Sequence, residues 1–364
     1  MSPLIDDFLF YFFIPLNILI FAGLLYISLV RGHSENFGND TETPVLVILP
    51  CRGIDHGMEN NILSLKNQKH GDFRLLAVVD SEDDPAVPFL NEAGIEHIVS
   101  HSGNGSGKVN AIVSAIEADH STHKVTVIVD SDTVVSDNWL SVLIAPLRDN
   151  RVGISTTFPF FDPVGGFWSK VKMVWGYVGL GMMQSTLTRF GWGGSLAFRS
   201  ELLTGKDLEF FSSYVSDDIA ITKICRKYGL KIAYVPEAAP LVKSPDDFNT
   251  FIEWANRQTA LSIYATRKVL SYGVLFYGAT IFEFLSAIIL TVIFWPFYPV
   301  LILFLPAVIN AIRSSKRSGK HWKSGFLIQF MIPFVYFYNL VKGGRMKSIV
   351  WRGREYPLDR TEDP

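Results

Sequence analysis

The sequence predicts an α/β fold: a Rossmann-like, mostly parallel sheet flanked by helices, with apolar segments on both sides of it in the chain. Three observations predict this. Short apolar runs alternate with helical patterns from Pro44 to about Pro240, the pattern of strand-helix-strand units. Two of those runs stop at acids, residues 74–79 at Asp80 and residues 126–129 at Asp130-Ser131-Asp132, and the carboxyl edge of such a sheet is where ligands bind. Finally, 48% of the 364 residues are hydrophobic and 13% aromatic, more than one soluble domain requires, and the excess lies toward the two ends.

Residues 8–30 form an apolar stretch of 23, interrupted only by Pro15 and Asn17, long enough to cross a bilayer. No basic leader or small-residue cleavage site accompanies it, so residues 1–32 read as an anchor and not a removed signal peptide. The soluble domain spans 44–270. In it the pattern gives a strand at 44–50, a helix at 59–67, a strand at 74–80, a helix at 85–93, a strand at 96–99, a helix at 108–118 and the Asp-x-Asp strand. Residues 163–185 carry Phe167, Trp168, Val171, Val174, Trp175, Val178 and Leu180 at near-helical spacing, with Lys170 and Lys172 among them. That suits a helix lying in the headgroup region, with a buried core helix as the alternative.

Within 271–345 the chain is apolar again at 273–294, 297–312 and 326–341, divided by a Trp-Pro-Phe-Tyr-Pro turn at 295–299 and a basic loop at 313–323. We expect spans at 8–30, 273–294 and 297–312. Residues 326–341 are short for a span and contain Pro333, which predicts an interfacial or re-entrant helix before a tail at 346–364. Asp6 and Asp7 precede the first span and Arg31 follows it, while Arg313, Lys316, Arg317, Lys320 and Lys323 crowd the later loop; positive loops stay inside, so the soluble domain is expected to face the cytosol.

The net charge of -2 offers no basic stripe for nucleic acid. Two cysteines, Cys51 and Cys225, and eight scattered histidines leave no disulfide framework or structural zinc site to expect.

The chemistry is carried by acids. Asp130 and Asp132 at a strand end stand about 6 to 7 Å apart, and two hard oxygen ligands there suit Mg²⁺ or Mn²⁺ carrying a diphosphate, the outline of a nucleotide-sugar site. A solvated turn would look the same. Asp80 and Asp83 lie in a second acidic strand end, and Asp217 and Asp218 in a third cluster. Ahead of a helix, Gly103-Asn104-Gly105-Ser106-Gly107-Lys108-Val109-Asn110 has the look of a phosphate loop. Val109 stands where Walker spacing needs Ser or Thr, so an ATPase is excluded. Lys108 and Asn110 at the helix start could still contact a uridine diphosphate; a flexible capping loop is the plainer alternative.

Taken together, residues 53–55, 60–61, 83–86, 107–110, 130–132, 193–195, 216–218 and 351–356 resemble glycosyltransferase family 2, and within it the ceramide glucosyltransferase-like enzymes. The resemblance covers nearly the whole chain. It implies a nucleotide-sugar-binding glycosyltransferase A-type domain held by transmembrane helices. The family's closing motif, Gln or Arg, two residues, then Arg-Trp, is altered here: Trp254 replaces the leading residue, Arg257 keeps the arginine and Gln258 replaces the tryptophan.

The implied reaction is an inverting transfer of a sugar, glucose by resemblance, from a UDP-sugar to a hydroxyl of a membrane lipid acceptor such as ceramide. Asp80 and Asp83 would hold the uridine and ribose end. Asp130 and Asp132 would orient the metal, with Asp130, Lys108, Asn110 and Arg257 on the donor side. Asp218 would be the general base, with Asp217 as its substitute. Gly193, Gly194 and Ser195 would let backbone approach the sugar, with Trp254 on the acceptor side. Two other classes stand beside this one. A processive polysaccharide synthase would want more spans and the Arg-Trp pair, and a non-catalytic nucleotide-sugar-binding membrane protein would not need Asp218.

Overall fold

Strands Val45–Pro50 (β1), Phe73–Val79 (β2), Glu96–Val99 (β3), Val125–Val129 (β4), Thr133–Val134 (β5), Val152–Thr156 (β6), Phe160–Pro163 (β7), Ser195–Arg199 (β8), Lys231–Tyr234 (β9) and Leu241–Ser244 (β10) alternate with helices in a computed structural model. It describes residues 9–29, 35–120 and 123–358. Seven of the strands form one sheet in the order β3-β2-β1-β4-β8-β6-β9, and β5-β10-β7 form a second, three-stranded sheet. The strands on either side of β1 belong to opposite directions of winding, β2 following it and β4 returning on its far side, and such a switch opens a crevice at the carboxyl edge.

The sheet is mixed. β3, β2, β1 and β4 run parallel, as does the β6-β9 pair, but β8 is antiparallel to both β4 and β6. The expectation of a mostly parallel sheet omits β8, because nothing in Ser-Leu-Ala-Phe-Arg states a direction; direction depends on the end at which the chain enters.

Val45, Ile48, Leu49, Val127, Ile128 and Val129 are buried, as central strands covered on both faces require. Helix Met58–Lys66 presents Met58, Ile62 and Leu65 to this core, and helix Trp139–Ile144 presents Trp139, Leu140 and Leu143. The first set has the spacing of one helical face. Each such side chain contributes about 1.5–3 kcal/mol by leaving water.

These strands belong to one of two units into which the chain divides, comprising Gly32–Val164, Val178–Pro245 and Lys347–Pro364. The same unit holds a terminal hairpin, Ser348–Trp351 (β11) and Arg354–Pro357 (β12).

The other unit comprises Met1–Arg31, Gly165–Tyr177 and Asp246–Met346. Three of its helical segments, Tyr11–Leu29, Lys268–Ile293 and Tyr298–Arg317, are long and apolar enough to cross a membrane. Residues 8 and 30 of the expected first span, with Asp6, Asp7 and Arg31, lie outside the described residues. Gly319–Gln329 and Ile332–Gly343 form a pair bent by 69°. Pro333 lies in the first turn of its helix, where its missing N–H costs nothing, so it starts a helix and does not interrupt one. The basic stretch expected as a loop at 313–323 is helical to Arg317 and again from Gly319. Lys and Arg are good helix formers, and charge alone does not end a helix.

Helix Phe167–Met183 buries Val171, Met173, Val174 and Trp175. Trp175 stacks on Tyr336 at 4.6 Å and donates its indole N–H to Asn339 at 3.1 Å; Asn339 donates in turn to Asn256 at 2.8 Å. Lys172 is buried and pairs with Asp246 at 3.0 Å. The ammonium expected at a headgroup margin is thus neutralised inside its own unit, since a buried cation needs a partner.

Candidate active site

Topology gathers the acids. β1, β2 and β4 are parallel, so the residues that follow them, Arg52 to Asp55, Asp80 and Asp130 to Asp132, emerge at one edge. β8 runs the other way with Val129 opposite Ser195, which brings Gly193 and Gly194, just before β8, to the same edge. The N–H of Asp130 donates to the Gly194 carbonyl at 3.3 Å.

The Asp130-Ser131-Asp132 turn is fixed from several sides. Ser131 donates through Oγ to Asp55 at 2.5 Å, and its carbonyl accepts from the amide of buried Asn61 at 2.9 Å. Thr133 Oγ1 donates to the Asp130 carbonyl at 2.8 Å. The carboxylates are therefore mounted on a backbone that has little freedom to turn, as a preorganised ligand site requires.

Lys108, in the first turn of helix Gly107–Ala118, places Nζ 2.6 Å from Asp130 Oδ1 and 3.2 Å from Asp217 Oδ2, and donates to the Gly193 carbonyl at 3.0 Å. Burial disfavours its charge, but Asp130 and Asp217 more than offset that, so its pKa is raised and it stays an ammonium. Asp217 Oδ2, although within ion-pair distance of Lys108, has no aligned hydrogen bond. Gly193 is needed here: a Cβ would sit 2.3 Å from Asp217 Oδ2 and 3.1 Å from Lys108 Nζ.

Asp218 accepts from Ser216 Oγ and from the Ile219 N–H at 2.8 Å. Burial and the neighbouring Asp217 charge push its pKa up to about 6, against the pull of Ser216 and Lys108. Burial also raises Asp130, with Lys108 opposing and Asp217 and Asp55 adding to the rise. Cys51, beside this edge, is buried with its thiol raised to about 12, so it is no nucleophile.

Asp80 pairs with Arg52 at 3.1 Å and Arg354 at 3.2 Å. Asp83 is exposed. Its neighbour Asp84 is buried and accepts from the N–H groups of Gly53 and Ala86, both at 2.9 Å, so it ties the loop after β1 to the loop after β2. Asn110 turns its amide toward the Gly103 carbonyl at 3.4 Å and so braces the glycine-rich loop. Ser195 is fully buried and its Oγ accepts from Trp139 Nε1 at 2.9 Å, a core contact; Gly194 leaves room for the Trp192 ring, which a Cβ would meet at 2.2 Å. Trp254 and Arg257 lie on helix Phe248–Ala265 in the other unit, where Trp254 packs on Trp175 at 4.9 Å under Lys172.

Sequence reasoning assigned no role to Asp55, Arg52, Asn61 or the hairpin arginines. Arg352 Nη2 reaches Asp55 Oδ1 at 2.6 Å, and Tyr356 Oη accepts from the Gly107 N–H at 3.1 Å. The signal was in residues 53–55, 60–61 and 351–356, which carried the resemblance; the last of these was expected only as a tail lining the acceptor entrance.

Among the described residues no three His, Cys, Asp or Glu side chains group to hold a metal. Asp130 and Asp132 offer two hard oxygen donors on a fixed turn. This donor set fits a cation such as Mg²⁺ or Mn²⁺, which takes one or two carboxylates and fills its shell with ligand oxygens.

The family model of glycosyl transferase family 21 matches residues 14–363, which replaces the family 2 of the resemblance. No curated protein matches the sequence. Among solved structures, the mannosyltransferase PcManGT from Pyrobaculum calidifontis, in complex with GDP-Man and Mn²⁺, is 14% identical at a TM-score of 0.51, over 91% of this chain and 94% of that one; this likeness shows a shared glycosyltransferase A-type fold. Glucosyl-3-phosphoglycerate synthase from Mycobacterium tuberculosis, with Mn²⁺, UDP-Glc and phosphoglyceric acid, is 14% identical over 56% of this chain and 73% of that one. Its TM-score of 0.37 gives it no weight.

Proposed function

We propose, from the premise that this chain belongs to glycosyl transferase family 21, that it transfers a sugar from a nucleotide sugar, UDP-glucose first among them, to a hydroxyl of a membrane lipid such as ceramide, with inversion at the anomeric carbon. The observation that carries this reading is the convergence of Asp130, Asp217 and Asp218 around Lys108 at one sheet edge. Asp130 and Asp132 would hold a divalent cation, which supplies positive charge to the leaving diphosphate. Mannosyltransferase PcManGT, of the same fold, is described with Mn²⁺ and GDP-Man, in keeping with that assignment. The three long apolar helices support a lipid acceptor and a bilayer setting, with the acid-bearing unit facing the cytosol by the charge of residues 313–323.

In this mechanism the acceptor oxygen forms a bond to the anomeric carbon as the bond from that carbon to the diphosphate breaks, and the electron pair departs on the phosphate oxygen. Asp218 takes the hydroxyl proton. A pKa of about 6 leaves it ionised at neutral pH yet basic enough to accept. Lys108 fixes Asp217 and the Gly193 carbonyl beside the acceptor path. Asp80 and exposed Asp83 are assigned to the ribose end, Asn110 to the phosphate loop, Arg257 to the donor side and Trp254 to the acceptor. The test is mass spectrometry of lipids from cells expressing the protein, supplied with labelled UDP-glucose, UDP-galactose, UDP-N-acetylglucosamine and GDP-mannose. A labelled glycolipid carrying one sugar is expected. A labelled polymer, or no labelled product from any donor, would overturn the reading.

A further inference from the structure

The terminal hairpin is more than a trailing segment. Its strands β11 and β12 are joined by Arg352 and Gly353, both with positive φ, +48° and +74°. A two-residue turn of this kind favours Asn-Gly or Gly-Gly, and an arginine in the left-handed region is costly for a residue with a Cβ. An uncommon residue kept in a strained position points to a task for its side chain. That side chain reaches Asp55 at 2.6 Å and the Arg52 carbonyl at 3.3 Å, and it lies within the electrostatic reach of Asp132 and Asp130. On the next strand Arg354 meets Asp80 through Nη2 at 3.2 Å and stands so close to Gly107 that a Cβ there would lie 2.9 Å from Nη1. Tyr356 accepts the Gly107 N–H at the start of the Lys108 helix.

Two guanidinium groups are thus carried by one hairpin to the edge where the diphosphate is assigned. Each can offer up to five N–H donors in a planar fork that matches phosphate oxygens. Resting on the donor reading given above, we propose that the hairpin is a diphosphate-binding arm: Arg352 and Arg354 exchange their pairing with Asp55 and Asp80 for the phosphate oxygens of a bound nucleoside diphosphate. In the exchange Asp80 keeps its pairing with Arg52 and Asp55 keeps the Ser131 hydroxyl, so neither carboxylate is left without a partner. Its loss acts twice on a diphosphate, by removing donors and by leaving Asp55 and Asp80 to repel the incoming anion.

The test is calorimetric titration of the full-length protein in detergent and Mn²⁺ with UDP and with uridine, and with GDP and guanosine in parallel. Arg352→Gln with Arg354→Gln should weaken nucleoside diphosphate binding by about 10- to 100-fold, from about tenfold per charge-assisted contact, and leave nucleoside binding within about twofold. Arg354→Gln alone, which keeps the turn intact, should show about tenfold, and the paired Lys substitutions should recover part of the loss. Unchanged or tighter diphosphate binding in the variants overturns the arm while the donor reading stands. Equal losses for UDP and uridine also overturn it, because they mark a structural role. A wild-type protein that binds neither UDP nor GDP overturns the donor reading itself, and the arm with it.

Discussion

Replacing Lys108 by Met keeps the aliphatic stem and deletes the charge between Asp130 and Asp217. Nζ lies 2.6 Å from Asp130 and 3.2 Å from Asp217. Asp217 is 4% exposed and Asp130 35%, so the unpaired charge is costly at the first and partly relieved by water at the second. Breaking a buried pair costs about 3–5 kcal/mol, and solvent at Asp130 moves the expectation to about 3 kcal/mol. At about 2–4 °C per kcal/mol for a domain of this size, Tm falls by about 6–12 °C at pH 7.5. The sign of the pH dependence follows from linkage. Lys108 holds the pKa values of Asp130 and Asp218 down against burial, so its removal lets both rise further above their unfolded values. Carboxyls raised in this way bind protons more tightly in the folded state, and stability is lost as pH rises through the folded pKa. The deficit of the variant therefore grows as pH rises past about 6, the wild-type value of Asp218, and is smaller at pH 5 than at pH 7.5. Thermal unfolding of the full-length protein in detergent at both pH values measures it, and Asp217→Asn in the Lys108→Met background should return about half the loss. An unchanged Tm at pH 7.5, or the same drop at both pH values, would refute the reasoning.

Asp132→Ala, and excess chelator on the wild type, should each remove most transferase activity; full activity of Asp132→Ala in chelator would defeat the metal assignment. Asp218→Asn should keep donor binding while kcat falls by about 10²- to 10⁴-fold. Because its folded pKa is raised to about 6, the wild-type rate should climb with pH to a plateau above that value, and a flat profile from pH 5 to 8 would sink the base. A cysteine introduced at Leu358 should react in sealed vesicles from the same side as one introduced at exposed Glu82; labelling from opposite sides would place the tail across the membrane from the acid-bearing unit.

Much of the fold was legible because the strands are buried on both faces. The expected strands at 44–50, 74–80 and 126–129 correspond to β1, β2 and β4, and their apolar runs could not serve as anything half-exposed. The direction of β8 was not legible, since it depends on where the chain re-enters the sheet. The acids that terminate β2 and β4 announced themselves at strand ends. Asp55 did not, because it follows β1 after a glycine turn and gains its place only through Ser131 and Arg352. Ser195 looked like part of a small-residue approach to ligand, yet a buried indole claims its hydroxyl. Lys172 showed only as a cation among aromatics; its partner Asp246 is 74 residues away in sequence.

The docking of the hairpin against Asp55, Asp80 and Gly107 also has arithmetic in it. The chain leaves the acid-bearing unit at Pro245 and rejoins it at Lys347, so if the helices in between cross a bilayer, as proposed above, they must do so an even number of times. Lys268–Ile293 and Tyr298–Arg317 as one outward and one return passage already satisfy the parity. On that proposal the bent pair Gly319–Gln329 and Ile332–Gly343 would turn back without passing through, a course with which the 69° bend between its halves is in keeping. The ion pairs of two arginines in the terminal hairpin thereby bear on how many times the proposed spans would thread a lipid bilayer.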